Sequence, residues 1–319
     1  MGRLRWDDLP PGLRARVQDV LGDAVSDARS QAEGFSPGSA DRITTLTGRR
    51  AFVKAISRSR NPDGFGLHEQ EARVVRQLPR SVQAPRMIGV VEDEFAGDDW
   101  IALVLDDVDG RHPGGAGDDS DVAAVLDALD TLPVATGALL TLPRLADELA
   151  EELGAWDRML DAGLPAAVPP HVAAEARAFA RTATGAAAVL DGEHLTHVDC
   201  RADNLLVDAV GRVWVIDWPW AAVGAHWFDP LTYLLDVLVR GDAVDVERHL
   251  ATHRLFTELP ASAVDAVLAG LAGTFLEKAS RPAVPHMPEL RGFQRREGLA
   301  AAEWLLRRWS ARDGSATRP

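Results

Sequence analysis

Over residues 1–106 apolar positions alternate with polar ones in short runs. From Asp121 onward they recur at three- and four-residue spacings, so a strand-rich first third precedes a helical remainder. Leu13, Val17, Val20 and Leu21 mark an amphipathic helix within 7–22, with Pro10 and Pro11 in its first turn. Strands are predicted over 24–32, 42–46 and 51–56, a helix over 67–78, and further strands over 85–91 and 100–105 joined by a polar loop at 92–99. This set completes a five-stranded antiparallel sheet with one helix. Beyond a Gly-, Asp- and Pro-rich loop at 111–119, helices are predicted over 122–132, 145–160, 171–190, 230–239, 244–253, 262–278 and 289–308, and 313–319 read as a frayed tail. One hairpin interrupts the helices: 205–207 and 212–216 read as short strands about a turn at 208–211.

That hairpin brings chemistry with it. Antiparallel pairing folds Asn204 and Asp217 back to the same open end, and an amide oxygen beside a carboxylate suits a hard cation such as magnesium. A second signal lies in the first sheet. Lys54 shares a strand face with the apolar Phe52 and Ile56, which leaves either a lysine snorkelling to the sheet edge or one that reaches phosphates and needs a carboxylate to hold it. Glu71 falls on the apolar face of the next helix, where an unpaired carboxylate is costly, so the two are paired. Gly34-Phe35-Ser36-Pro37-Gly38 between two strands reads either as an ordinary hairpin turn or as a loop whose backbone, around Ser36 and Gly38, covers phosphates. The pairs His194/His197 and His249/His253 lack the neighbours of a metal site and read as exposed helix histidines.

The order His197, Asp199, Asn204 and then, across the hairpin, Asp217 resembles the catalytic loop and metal-binding Asp of the aminoglycoside phosphotransferase family, within the protein-kinase-like superfold. The stretch from Glu71 to Leu78 is similar to the corresponding helix of these kinases. The resemblance implies an α+β, two-lobed fold: 1–106 as the nucleotide-binding lobe with its leading helix, and 107–319 as a helical catalytic and acceptor-binding lobe. It implies ATP or GTP with Mg2+ on Asn204 and Asp217, Lys54 held by Glu71 on the phosphates, and Asp199 as the base that accepts the acceptor's proton. Leu105 would line the back of the nucleotide pocket, with the Asp106 carbonyl and the Val108 N–H receiving the base. Arg201 stands where protein kinases carry a lysine, and two readings stay open: charge on the transferred phosphoryl group, or a salt bridge to Asp203 or another nearby carboxylate. His197 packs beneath the loop, Cys200 fills space, and Asp229 caps a helix start and braces the catalytic loop. Two departures stand out. Val198 replaces the family's glycine and so loses its freedom of φ, and Asp217-Trp218-Pro219-Trp220 carries no activation segment of the protein-kinase type.

The implied reaction moves a γ-phosphate to a hydroxyl of a small molecule. Aminoglycosides are one class of acceptor, with choline, homoserine or sugars as others, and antibiotic modification enters by analogy alone. A nucleotide-binding pseudokinase is the alternative from another class, and the complete set Lys54, Glu71, Asp199, Asn204 and Asp217 argues against it. A kinase for polypeptides is disfavoured by the missing activation segment. Composition narrows the rest. The charge of −14 disfavours nucleic acid, no apolar run is long enough for a bilayer, and the lone Cys200 fits a reducing cytoplasm, with a monomer or weak homodimer expected. The acidic positions Asp147, Glu148, Glu151, Glu152 and Asp157 read first as a solvated face and second as a surface attractive to an amine-bearing acceptor, an amino sugar or other cationic metabolite, and the tryptophans of the helical half read mostly as core while being compatible with a cationic or ring-bearing acceptor.

Overall fold

The computed structural model describes residues 3–31, 37–114 and 119–316, with side chains to 313. The chain divides into two compact units, 1–113 with 202–221, and 114–201 with 222–319.

The first unit opens on α1 (Pro11–Leu21), begun by Pro11 at its first position and ended by Gly22 at φ 73°. Strands β1 (Val25–Ser30), β2 (Ser39–Thr45), β3 (Arg50–Ser57), β4 (Met87–Phe95) and β5 (Asp98–Asp106) form one antiparallel sheet in the order β1-β2-β3-β5-β4. Alternation along β3 sorts its side chains. Ala51, Val53 and Ala55 face the core that α1 closes with Leu13, Val17 and Leu21, and Lys54 faces the other way. Helix α2 (Pro62–Gln77) packs on β3, β4 and β5. It starts five residues earlier than the apolar pattern predicts, because Asn61 caps it through its side-chain oxygen at 2.9 Å from Gly64 N and Pro62 occupies the first turn. The expected loop at 92–99 is instead strand. β4 and β5 run on until Ala96 and Gly97, at φ 57° and 79°, turn the chain in two residues.

A second, three-stranded sheet in this unit joins Gly110–Arg111, Leu205–Asp208 and Val213–Val215. Its turn is organised by Asp208, whose carboxylate accepts from Val210 N, Arg212 N and Trp214 Nε1.

The second unit is helical: α3 (Asp119–Leu129), α4 (Leu145–Leu153), α5 (Ala155–Ala162), α6 (Pro170–Ala174), α7 (Ala176–Ala183), α8 (Phe228–Arg240), α9 (Val246–Thr252), α10 (Arg254–Thr257), α11 (Ala261–Ala279) and α12 (Leu290–Ala316). A short antiparallel pair, His194–Thr196 with Ala222–Gly224, completes it. The core forms around α11, which packs on α4, α5, α7 and α12. Its Gly270 and Gly273 admit Leu153 and Trp156, since an added Cβ would stand 2.6 and 2.7 Å from those side chains. Two expected long helices are broken, the first at Gly154 and the second at Glu175, while α12 runs through much of the expected tail. The histidines are not exposed helix residues: His194 lies in a strand with its ring stacked on His226 at 4.0 Å, His197 is buried, and His249 bonds Asp119 at 2.7 Å. Trp156, Trp218 and Trp304 are core, and only Trp220 is substantially exposed. No helix among the described residues is long and apolar enough to cross a membrane.

Candidate active site

In the first unit, β3 presents Lys54 and α2 presents Glu71, and the lysine Nζ lies 2.5 Å from Glu71 Oε2 and 2.7 Å from Asp217 Oδ1. Both members of the Lys54–Glu71 pair are withdrawn from solvent, whereas Asp217 keeps 45% of its side chain accessible. One ammonium thus serves two carboxylates. Burial works against the charged Lys54, but Asp217 and Glu71 outweigh it and raise its pKa above the ordinary lysine value. Burial pushes Glu71 up to about 7, aided by Asp217 and opposed by Lys54. His68, one turn earlier on the same face of α2, is also buried; burial and the nearby Lys54 lower it to about 4, and its Nδ1 lies 2.8 Å from Gly64 O.

Asp217 follows the hairpin strand. The register Leu205↔Val215 and the bond from Ile216 N to Asn204 O, 2.9 Å, set Asn204 opposite Ile216, next to Asp217. Asn204 is buried at the end of a single 3-10 turn (Ala202–Asn204), and Asp217 adopts φ 66°, a left-handed conformation that Asp tolerates. Leu105 is buried at the end of β5, Asp106 is exposed, and the Val108 carbonyl accepts from Arg42 Nη2 at 2.9 Å. Asp107, next to them, takes Arg50 at 2.5 Å and Arg42 at 3.3 Å. Gly38 is buried, and an added Cβ would stand 2.5 Å from the Ala55 carbonyl oxygen, so close backbone approach alone accounts for a glycine there. Ser36, expected beside it, lies outside the described residues.

In the second unit, Asp199 and Arg201 sit on the loop after the strand His194–Thr196, with Arg201 Nη1 3.3 Å from Asp199 Oδ1. The loop is held from below by the buried Asp229, whose two oxygens accept from His197 N at 2.6 Å and Val198 N at 2.8 Å. Asp229 is the second residue of α8 rather than its cap, because both of its oxygens are committed to the loop. Burial raises its pKa while those two N–H donors oppose the shift. Val198 adopts φ 73°, a conformation that a β-branched residue rarely takes. Cys200 is buried and its thiol is raised by burial, which leaves it a space-filling role.

Sequence reasoning passed over Glu297 on α12. It is 9% exposed, and the Arg201 guanidinium and the Asp199 carboxylate both act on it. The helical-wheel argument that found Glu71 would have found it, because Glu297 shares a face with the buried Ala301 and Trp304.

The family model described as a phosphotransferase enzyme family matches residues 34–263, more than half of the chain. No curated protein shows significant sequence similarity to the chain. Among solved structures, a thermostable mutant of an aminoglycoside phosphotransferase in ternary complex with ADP and hygromycin B aligns with TM-score 0.58 and 16% identity, over 92% of this chain and 98% of that one. A spectinomycin phosphotransferase in complex with ADP and spectinomycin gives TM-score 0.58 at 11% identity, over 93% and 98%. An aminoglycoside phosphotransferase from Alicyclobacillus acidocaldarius gives 0.55 at 16%, over 91% and 95%. At these identities the likeness establishes the kinase-like α+β fold.

Proposed function

The chain belongs to the phosphotransferase enzyme family, and from that premise we propose that it transfers the γ-phosphate of ATP, or of GTP, to a hydroxyl of a small molecule. The observation that carries this reading is Lys54 bridging Glu71 and Asp217, three residues brought together from β3, α2 and the hairpin at the point where phosphates would be received. A buried lysine kept protonated by two carboxylates is a fixed positive charge, and polyphosphate is the ligand that such a charge suits.

The donor set fits a hard cation: Asn204 contributes an amide oxygen and the accessible Asp217 a carboxylate. Magnesium bound by them would neutralise phosphate charge in the transition state. The rest of the chemistry belongs to the chain. Asp199 accepts the acceptor's proton, and Arg201, which already pairs with Asp199, turns its charge toward the phosphoryl oxygens. Asp229 fixes the loop so that neither group must be ordered during turnover. Leu105 lines the back of the nucleotide pocket, the Asp106 carbonyl and the Val108 N–H receive the base, and Ser36 and Gly38 cover the phosphates. Residues 1–106 then act as the nucleotide lobe and 107–319 as the acceptor lobe, with the hairpin 202–221 clustering in the first.

Transfer of labelled γ-phosphate in magnesium buffer to aminoglycosides, amino sugars, choline and homoserine tests the proposal. Asp199→Ala should lower turnover by a factor on the order of 10²–10⁴ and leave nucleotide affinity nearly unchanged. Equal loss of both would remove Asp199 from the role of base. Nucleotide binding without any Asp199-dependent transfer or hydrolysis would make the chain a binding protein.

A further inference from the structure

The stretch Arg111-His112-Pro113 reads in the sequence as part of a loop, yet in the first unit it lies along the hairpin. Gly110 pairs with Asp208 and Arg111 with Val207. The approach is close enough to need the glycine, since an added Cβ at Gly110 would stand 3.0 Å from both Leu206 Cβ and the Val207 carbonyl oxygen. Pro113 biases the residue before it toward extended backbone, so His112 continues beside the hairpin. Its ring then meets two backbone oxygens. His112 Nδ1 lies 3.0 Å from the Ala202 carbonyl oxygen and 2.9 Å from that of Leu205. Carbonyls only accept, so Nδ1 carries the hydrogen and shares it between them in a three-centre bond.

Those two oxygens bracket the single 3-10 turn Ala202–Asn204, and the Asn204 carbonyl accepts from Ile216 N at 2.9 Å. A three-residue turn has too few internal bonds to hold its own shape. This one is fixed by two donors from outside it, Ile216 beyond the hairpin turn and His112 on the segment after β5. We propose that His112 is a positioning residue for the cation: by holding the turn it keeps Asn204 next to Asp217, so that the two meet magnesium as a ready-made donor set. The proposal deepens the phosphotransferase reading and rests on it. His112 acts only through the backbone of the turn. Groups at that remove change metal affinity by about 10–100-fold when lost, because a ligand that must be ordered at each binding event weakens the complex by the cost of that ordering.

Manganese, a hard cation read directly by electron paramagnetic resonance, is the probe. The full chain is titrated with it in the presence of a non-hydrolysable ATP analogue, and with the analogue alone. The variants separate the donor from the ring. His112→Phe and the smaller His112→Leu lose the N–H, whereas His112→Asn loses the ring and keeps an N–H at a similar distance from the backbone. The two donor-free variants should bind manganese about tenfold or more weakly, with cation-free nucleotide affinity nearly unchanged, and His112→Asn should restore most of the loss. In the nucleotide-free chain the Ile216 amide should exchange its hydrogen faster in His112→Phe than in wild type. Undiminished manganese binding in the donor-free variants, equal loss in His112→Asn, or a parallel loss of cation-free nucleotide affinity overturns the proposal. So does a wild-type chain that takes up no manganese. Its failure is separable from that of the parent reading. Phosphate transfer with manganese binding undiminished in His112→Phe removes the positioning role alone, whereas donor-dependent manganese binding without transfer to any acceptor removes the kinase reading and leaves His112 its role.

Discussion

Val198 carries the clearest local conflict in the chain. Its φ of 73° is imposed by the two bonds from His197 N and Val198 N to Asp229, which fix the peptide planes of the loop whatever side chain is present. Strain of this kind costs about 1–3 kcal/mol, and glycine returns part of any gain as chain entropy. Val198→Gly should therefore raise stability by roughly 1 kcal/mol, read as a higher urea midpoint with an unchanged slope; a lower midpoint would mean that the valine side chain contributes packing that outweighs its strain. Sequence alone identified the position as unusual. It did not reveal that the backbone keeps the left-handed conformation in spite of the valine, because that outcome depends on a carboxylate thirty-one residues away in the chain.

Among the elements, α2 and Gly38, just before β2, shape the first unit around Lys54. Asn61 caps α2, and Asn61→Ala should cost about 1 kcal/mol, measured by chemical unfolding. The same variant should loosen Lys54, because the helix start is fixed to the sheet ahead of Glu71. Gly38→Ala is a sharper test of the loop. Its Cβ would meet the backbone oxygen of Ala55, which cannot swing aside, so a loss of about 1–3 kcal/mol is expected. An unchanged unfolding midpoint in that variant would show that the loop yields, and would return Gly38 to a purely phosphate-directed role. Helix boundaries were less legible than helix identities. The apolar stripe of α2 becomes visible only at Leu67, since Gly64 and Gly66 contribute no side chain to it, while the cap and proline that start the helix are local signals that periodicity does not contain.

For the whole molecule, buried titratable groups set opposite limits on stability. His68 is held neutral, with a pKa of about 4 against an ordinary 6.5, so its contribution is present above 6.5 and is lost as pH falls toward 4. Glu297 is displaced the other way, from 4.5 to about 8, so its contribution is full below 4.5 and is lost as pH rises through 8. His68→Asn should flatten the acid limb of unfolding free energy between pH 6.5 and about 4, and Glu297→Gln the alkaline limb between 4.5 and about 8. Urea midpoints taken across pH 4–9 check both. An acid limb that His68→Asn leaves unchanged would assign it to other groups.

The sequence by itself determined the five-stranded sheet, the pairing of Lys54 with Glu71 and the approach of Asn204 to Asp217, because each follows from period, helical wheel or hairpin register, and these are short-range rules. The catalytic-loop motif likewise carried the family, since its order and spacing survive where overall identity does not. Tertiary structure alone decided the rest. It gave Lys54 a second carboxylate in Asp217, placed both oxygens of Asp229 under the loop that carries Asp199, broke the long helices at Gly154 and Glu175, and buried Glu297 with no hydrogen-bond or ion-pair partner among the described residues. Each of these depends on which distant segment arrives beside a residue and on how far water is excluded there, and neither quantity is written in the order of neighbouring residues.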